Sequence, residues 1–300
     1  MKPQVTIGVC AKNSALTISE TIDSIISQGF PHELIEVIFV DDGSQDCTLS
    51  LMNARASGMD MQVKVIHHEW RGLGVSRNRV VEEAEGKYII WVDSDMILSE
   101  DFVRRQVEFM EMNPKIGIAK GTLGILDQNR LVAFLEDVAY VENYYRHRGI
   151  AKSGTLGAGG CIYRVVSIRQ VGGFDSNIKG VGEDMNAEAK VKKANWLLYV
   201  GSPGVFYEQR RSSLRSLWRE SVWHGYGLHK IFEKRPIEVL GMTPPAAFFL
   251  GAYYSVTAYK MVHRRTVFLL PFQHAFARIG WWMGFLKGKI DKDYHSNLTG

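Results

Sequence analysis

The chain has 300 residues, 46% hydrophobic and 23% charged, the balance of a globular protein with enough length for one large domain or two small ones. Its net charge of +4 is unevenly spread: residues 209–300 carry 14 Lys and Arg against 5 Asp and Glu, which leaves 22 against 27 in residues 1–208. A basic tail on an acidic body directs an anionic partner to the tail alone, and no nucleic-acid partner is expected.

Cys10, Cys47 and Cys161 are widely spaced and form no CxxC pair, so they make neither a disulfide framework nor a zinc site. They read as reduced, intracellular thiols. No charged leader with a long apolar run opens the sequence, so no signal peptide is expected.

In chain order, residues 5–9 read as a first strand running into the polar loop Lys12-Asn13-Ser14. Ile18, Ile22, Ile25 and Ile26 then recur at helical spacing, closed by Gly29-Phe30-Pro31. Residues 35–40 predict a second strand that ends in Asp41-Asp42-Gly43-Ser44. A helix over about 46–57 follows, then a short strand at 63–66 and a loop and helix over 72–85. Residues 87–95, Lys-Tyr-Ile-Ile-Trp-Val-Asp-Ser-Asp, read as a buried central strand ending in two carboxylates. This βαβαβ rhythm predicts a mostly parallel α/β sheet flanked by helices. Beyond Asp95 a helix to about Met112, a strand at 116–119, a helix over 131–148, a glycine-rich segment at 154–160, a helix from Glu183 to about Lys193 and a strand at 196–200 are expected. The glycines would let backbone approach a ligand closely.

Side chains two apart on a strand leave on one side, so Asp93 and Asp95 share a face if the extended backbone persists through Ser94. Two hard oxygen ligands at a strand's carboxyl edge suit a divalent cation that holds phosphates. Asp42, at a second strand end, could accept a hydrogen bond from a nucleobase or ribose. Arg77, on the preceding helix, could meet a pyrophosphate or serve as a solvated helix-face arginine. Glu183 and Asp184 open a helix about 100° apart, so one at most reaches a shared ligand while the other caps or braces. Facing a hydroxyl, such a carboxylate is a plausible general base. Gly72-Leu73-Gly74 has Arg77 where a dinucleotide fingerprint needs glycine, and no P-loop or Gly-x-Ser-x-Gly elbow occurs.

The ordered set Lys12-Asn13, Val40-Asp41-Asp42-Gly43-Ser44, Ser76-Arg77-Asn78, Asp93-Ser94-Asp95, Gly172-Gly173-Phe174-Asp175, Gly182-Glu183-Asp184 and Ser213-Leu214-Arg215 resembles family 2 inverting glycosyltransferases of the GT-A fold. The resemblance covers about the first 220 residues. It implies transfer of a sugar from a nucleotide-diphosphate donor, UDP by default and GDP close behind, to a hydroxyl or phosphate acceptor. It implies that Asn13, Asp42, Arg77 and Asp93 contact the nucleotide, Asp42 at the base. It further implies that Asp95, with Asp93, holds Mg²⁺ or Mn²⁺, and that Asp184 is the catalytic base. The family often carries a histidine after the late strand. This chain has Phe206-Tyr207-Glu208-Gln209 there, so Glu208 or Arg210 would have to substitute. A pyrophosphorylase would need a glycine-rich, Arg-containing loop after strand one, which is absent. A non-catalytic nucleotide-sugar binder is the other alternative.

The expected organisation is a nucleotide-sugar half at 1–98, an acceptor half at 99–210 and a basic helical region at 211–300. An amphipathic helix at 213–232 is followed by apolar stretches at 246–262 and 266–286. The first is short for a bilayer span, and the second holds Pro271, Gln273, His274 and Arg278. Trp281-Trp282 and Lys287 with Lys289 suit an interface. The expectation is a peripheral protein at the cytoplasmic face of the membrane, with a lipid-linked or membrane-borne acceptor, or a cytoplasmic protein if these helices pack on the domain.

Overall fold

The computed structural model describes residues 2–126, 129–151, 155–178, 181–210, 213–233, 239 and 242–290. Gly154 and Gly180, and the tail after Ile290, lie outside the described residues. Two units emerge, Met1–Gly124 with Tyr144–Gln209, and Ile125–Asn143 with Arg210–Gly300. One division falls between Gln209 and Arg210. Residues 125–143 instead group with the C-terminal region, because Phe134, Leu135 and Val138 bury against Ala258, Val267 and Leu270.

The first unit is built on nine strands: β1 (Val5–Ala11), β2 (Ile35–Asp42), β3 (Gln62–His68), β4 (Tyr88–Trp91), β5 (Met96–Leu98), β6 (Ile116–Leu123), β7 (Gly149–Ile150), β8 (Cys161–Arg164) and β9 (Leu197–Glu208). Their order is β3-β2-β1-β4-β8-β6-β9-β5, with β7 also on β9. Helices α1 (Ile18–Ile26), α2 (Thr48–Ala56), α3 (Leu73–Glu83), α4 (Phe102–Met112), α6 (Val165–Gln170) and α7 (Glu183–Lys193) connect them, and α5 (Leu131–Arg146) is shared with the second unit.

Pairs β3–β2, β2–β1 and β1–β4 are parallel, as the βαβαβ rhythm predicts. The apolar runs of β1, β2 and β4 are buried, edge strand β3 is partly exposed, and Ile7, Ile38, Val40, Ile89 and Trp91 make the core beneath the helices. Buried Glu36 is tolerated on β2 because it accepts bonds from Thr6 Oγ1 and the N–H groups of Glu85 and Gly86. Beyond β4 the sheet turns mixed: β8 runs antiparallel to β4 and β6, while β6 and β9 are parallel. The chain leaves β1 for β2 on one side and reaches β4 on the other, which makes a topological switch point at the carboxyl ends of β1 and β4.

Three differences from the sequence reading have local causes. β9 runs to Glu208 rather than stopping at Val200, because Gly201 takes φ 79° and a register shift between Lys120 and Thr122 lets the strand continue past Pro203. β5 and β8 are short and were not expected. Most relevant to function, β4 ends at Trp91 and the chain turns, with Met96 N–H donating to Asp93 C=O at 3.0 Å. The extended backbone does not persist through Ser94, so a tight turn, and not the pleat, brings Asp93 and Asp95 to the edge.

The second unit contains the start of α5, α8 (Leu214–Glu233), α9 (Pro244–Val262), a 3-10 turn at Arg265–Leu269 and α10 (Leu270–Ile290). Gly280, Gly284 and Gly288 recur every fourth residue on α10 and meet Ser221, Val222 and His229 of α8. This seam lets two backbones approach closely. No helix among the described residues is long and apolar enough to cross a membrane. Phe249, Tyr253 and Val256 on α9, and Ile279, Met283 and Leu286 on α10, are nevertheless exposed.

A Cβ at Gly284 would run into Val222 C=O and would lie 2.8 Å from Tyr226 N. Gly284→Val is expected to lower the unfolding midpoint of the helical unit, by roughly 1–3 kcal/mol of overpacking. Ala252→Val, at an exposed position, serves as the control. Equal thermal unfolding curves for the two variants would refute the seam.

Candidate active site

The carboxyl ends of β1, β2 and β4 face the start of α7, and one buried arginine ties them together. Arg77 lies on the inner face of α3, where its Nη1 donates to Glu183 Oε1 and lies 4.0 Å from Asp184 Oδ2. Its Nη2 stands 3.6 Å from Asp93 Oδ1. The guanidinium also lies over Trp91 and Phe174, 5.8 and 5.6 Å from their ring centres. Burial works against its charge, but Glu183, Asp93 and Asp184 outweigh that and hold it protonated. The sequence reading offered Arg77 a pyrophosphate or solvent. At 4% exposure and set against carboxylates, it is not a solvated helix-face arginine.

Glu183 and Asp184 divide their roles as adjacent helical residues should. Glu183 is buried on Arg77, while Asp184 keeps 20% of its side chain open. Burial pushes Glu183 up, Arg77 pulls it down and Asp184 pushes it up again, for a net value of about 7. Gly182, at φ 109°, begins the helix and turns both acids toward the sheet edge. Asp184 Oδ2 accepts Ala158 N–H at 3.2 Å, which fixes the glycine segment.

Asp93 is crowded by protein on several sides yet leaves 44% of its side chain open, and Asp95 beside it is exposed. Burial raises the pKa of Asp93 against the pull of Arg77 and Lys120. Gly159 has no room for a Cβ beside Asp93 Oδ2 and Met96. The glycine segment therefore packs on the acids themselves, where the sequence suggested a ligand. Glu208, at the end of β9 and paired with Met96, adds its charge to the surroundings of Asp93. Arg210, the alternative to Glu208, instead bonds buried Asp137 at 2.8 Å.

Lys120 escaped the sequence reading. Buried on β6, it donates to the carbonyls of Gly157, at 3.2 Å, and Gly159. Burial opposes its charge, but Tyr144, Cys161 and Glu208 raise its pKa overall. The signal was a single lysine inside the apolar strand Ile-Gly-Ile-Ala-Lys-Gly-Thr-Leu.

Around the rim, loops interlock. Asn13 takes φ 53°; its N–H donates to Ser44 Oγ at 2.9 Å and its Oδ1 accepts Gln45 N–H at 2.8 Å. Ser14 Oγ meets Ser94 Oγ at 2.7 Å. Asp42 accepts the N–H groups of Arg71, at 2.8 Å, and Gly72, so it shapes the β3–α3 loop. Asn78 pairs with both backbone groups of Phe174 at 2.8 Å, next to Gly173 at φ 73°. One turn beyond Asp184, Glu188 accepts Leu156 N–H at 2.8 Å while its Oε1 is buried without a partner. Burial and Asp184 push it up to about 8. Cys10 sits amid the acids with its thiol pushed up to about 12 by burial, Cys161 is likewise raised, and Cys47 is exposed.

A mixed α/β sheet in this strand order, with Asp93 and Asp184 at its switch point, is the architecture of a GT-A domain rather than of a dinucleotide or P-loop one. The family model described as glycosyl transferase family 2 matches residues 6–169, and a second, glycosyl transferase family group 2, matches 88–289. The chain belongs to glycosyl transferase family 2. It is similar to glycosyltransferase GlyA of Streptococcus pneumoniae, 26% identical over 233 residues, covering 74% of this chain and 33% of that protein. It is also similar to the poly(ribitol-phosphate) beta-glucosyltransferase of Bacillus spizizenii, 33% identical over 126 residues, covering 40% of this chain and 20% of that protein. The chain thus spans less than half the length of these relatives. Among solved structures, a mannosyltransferase from Pyrobaculum calidifontis in complex with GDP-Man and Mn²⁺ shares the fold at a TM-score of 0.68. The two are 18% identical, over 97% of this chain and 88% of that one.

Glu188 yields a pH test. Its folded pKa, near 8, exceeds the ordinary 4.5, so the folded state holds a proton that the unfolded chain releases. Stability from this group is full below about 4.5, falls as pH rises and levels off above about 8. Glu188→Gln is expected to flatten that slope, raising the melting temperature by several degrees at pH 9 and hardly at pH 5. Parallel pH profiles for mutant and wild type would refute it.

Proposed function

We propose that this protein transfers a sugar from a nucleotide diphosphate sugar to an acceptor hydroxyl or phosphate, inverting the anomeric centre. The observation that carries the reading is that Asp93 and Asp184 are held by one buried arginine at the sheet's switch point, each with part of its carboxylate open. The open side chain of Asp184 accepts the proton of the acceptor hydroxyl. The acceptor oxygen attacks the anomeric carbon from the face opposite the diphosphate, and the bond to that diphosphate breaks with its electron pair leaving on the phosphate oxygen. One displacement inverts the centre. Glu183 and Arg77 orient the base, and Lys120 holds the Gly157 and Gly159 carbonyls that wall the site. Asn13, Asp42 and the loops they fix form the nucleotide side, with UDP or GDP as the base-bearing half.

Asp93 and Asp95 offer carboxylate oxygens, the donors that Mg²⁺ or Mn²⁺ takes. No group of three or more His, Cys, Asp or Glu able to hold a metal ion occurs among the described residues. A cation at Asp93 and Asp95 would take one or two carboxylates, with phosphate oxygens and water filling its shell. When bound, it would neutralise charge on the departing diphosphate. The complex of the Pyrobaculum calidifontis mannosyltransferase with GDP-Man and Mn²⁺ supports this donor class.

The acceptor side of the proposal is membrane-borne. The exposed apolar faces of α9 and α10, with Lys260, Lys287 and Lys289, suit helices that lie in a membrane interface at the cytoplasmic face.

Three measurements test these readings. A thermal-shift screen of UDP- and GDP-sugars with Mn²⁺ should raise the melting temperature of wild type. Asp95→Ala should lose the metal-dependent part, and Asp184→Asn should keep donor binding while losing at least 100-fold in transfer. An Asp184→Asn enzyme within a few-fold of wild type would overturn the assignment. Separately, the protein should float with vesicles containing anionic lipid at low salt, and unchanged sedimentation with and without vesicles would overturn the membrane reading.

A further inference from the structure

The helical unit holds a cavity of about 320 Å³ that no part of the transfer reading uses. That volume is at the lower end of ligand pockets, which run from roughly 300 to 1,000 Å³. Leu217, Leu250, Tyr254 and Trp281 supply much of its wall, and His274 and Arg278 of α10 contribute to it. Arg278 is largely buried, and among the described residues it makes no hydrogen bond and has no carboxylate within 4.0 Å. Glu136 and Glu220 also line the cavity, and neither pairs with it. The groups that register its charge are the phenols of Tyr140 and Tyr254. Burial lowers its pKa, and burial together with Arg278 brings His274 down to about 4, so that histidine is neutral.

A guanidinium withdrawn from water without a counter-charge is costly to keep. Its planar fork matches a phosphate with two parallel bonds, and a neutral imidazole can add a donor without adding charge. Aromatic and aliphatic side chains share the rest of the wall with polar ones, among them Asn143, His224 and Gln273 and the two glutamates. The helices that make it, α9 and α10, carry the exposed apolar residues described above on their other faces.

We propose that this cavity binds the phosphate head of an alkyl or isoprenyl phosphate, with Arg278 as the anion contact. The shared chemistry is a phosphate monoester on an apolar chain, whether it belongs to a bulk lipid or to the acceptor. The inference deepens the membrane-borne acceptor reading, and its test uses binding alone, so the donor reading stands or falls separately.

The test titrates the full chain with decyl phosphate below its micelle concentration, followed by calorimetry and tryptophan fluorescence. Inorganic phosphate and decyl maltoside run alongside. Saturable binding of decyl phosphate is expected, weakened at least tenfold by Arg278→Gln, while the donor-induced thermal shift is unchanged. Should Arg278→Gln fail to fold by circular dichroism, Leu250→Trp, which fills the cavity from a partly exposed position, is expected to give the same loss. Binding that survives both substitutions overturns the site. Equal binding of decyl maltoside means a detergent surface only, and equal binding of inorganic phosphate means an anion contact without an apolar chain; either overturns the proposal. Competition by vesicles of phosphatidic acid would assign the site to bulk lipid, and indifference to them would assign it to a dedicated phosphorylated acceptor; each supports an alkyl phosphate site.

Discussion

The buried charge on Arg77 is the constraint around which the first unit is arranged. One guanidinium on α3 answers three carboxylates from two other places in the chain, the turn after β4 and the start of α7. Buried ion pairs gain little net stability, because desolvation offsets most of their attraction. Their effect is geometric. Removing Arg77 would strand Glu183 in the interior, so the turn and the helix can share the arginine only in one relative placement. Trp91 and Phe174 stack around it at 88° to one another and close the remaining space.

The same cluster has more carboxylate than guanidinium charge. Asp93, Glu183 and Asp184 together exceed what Arg77 neutralises, and Lys120 lies beyond the glycine segment. The excess falls on the two acids that keep open surface. A site so arranged carries a net negative charge, and it leaves Glu183 as the member that can take up a proton near neutrality.

Much of this was legible in the sequence, for reasons that vary along the chain. β1, β2 and β4 are buried on both faces, so their apolar runs were unambiguous, and the acids that end them stood out. The split between Glu183 and Asp184 followed from helical geometry alone. What stayed hidden depended on distant partners. Arg77 looks like a surface arginine until α7, more than 100 residues away, places Glu183 against it. Lys120 has no local motif, and its role comes from carbonyls of Gly157 and Gly159. β5 and β8 are too short to show periodicity, and a positive φ at Gly201 carried β9 through Pro203, where sequence rules stop a strand. In the second unit the polar residues of α10 seemed only to argue against a bilayer span, although Arg278 and His274 line a cavity.

The three thiols sort themselves by setting. Cys10 and Cys161 are held in their protonated, unreactive form by burial, whereas Cys47 stands exposed just before α2, on the loop that follows β2. Thiolate chemistry requires both access and ionisation, so a maleimide dye at neutral pH has one favoured target. The native protein can therefore carry a single fluorophore beside the loops that Asn13 and Ser44 knit together, without any engineered cysteine. Such a reporter would register any change in the surroundings of that rim.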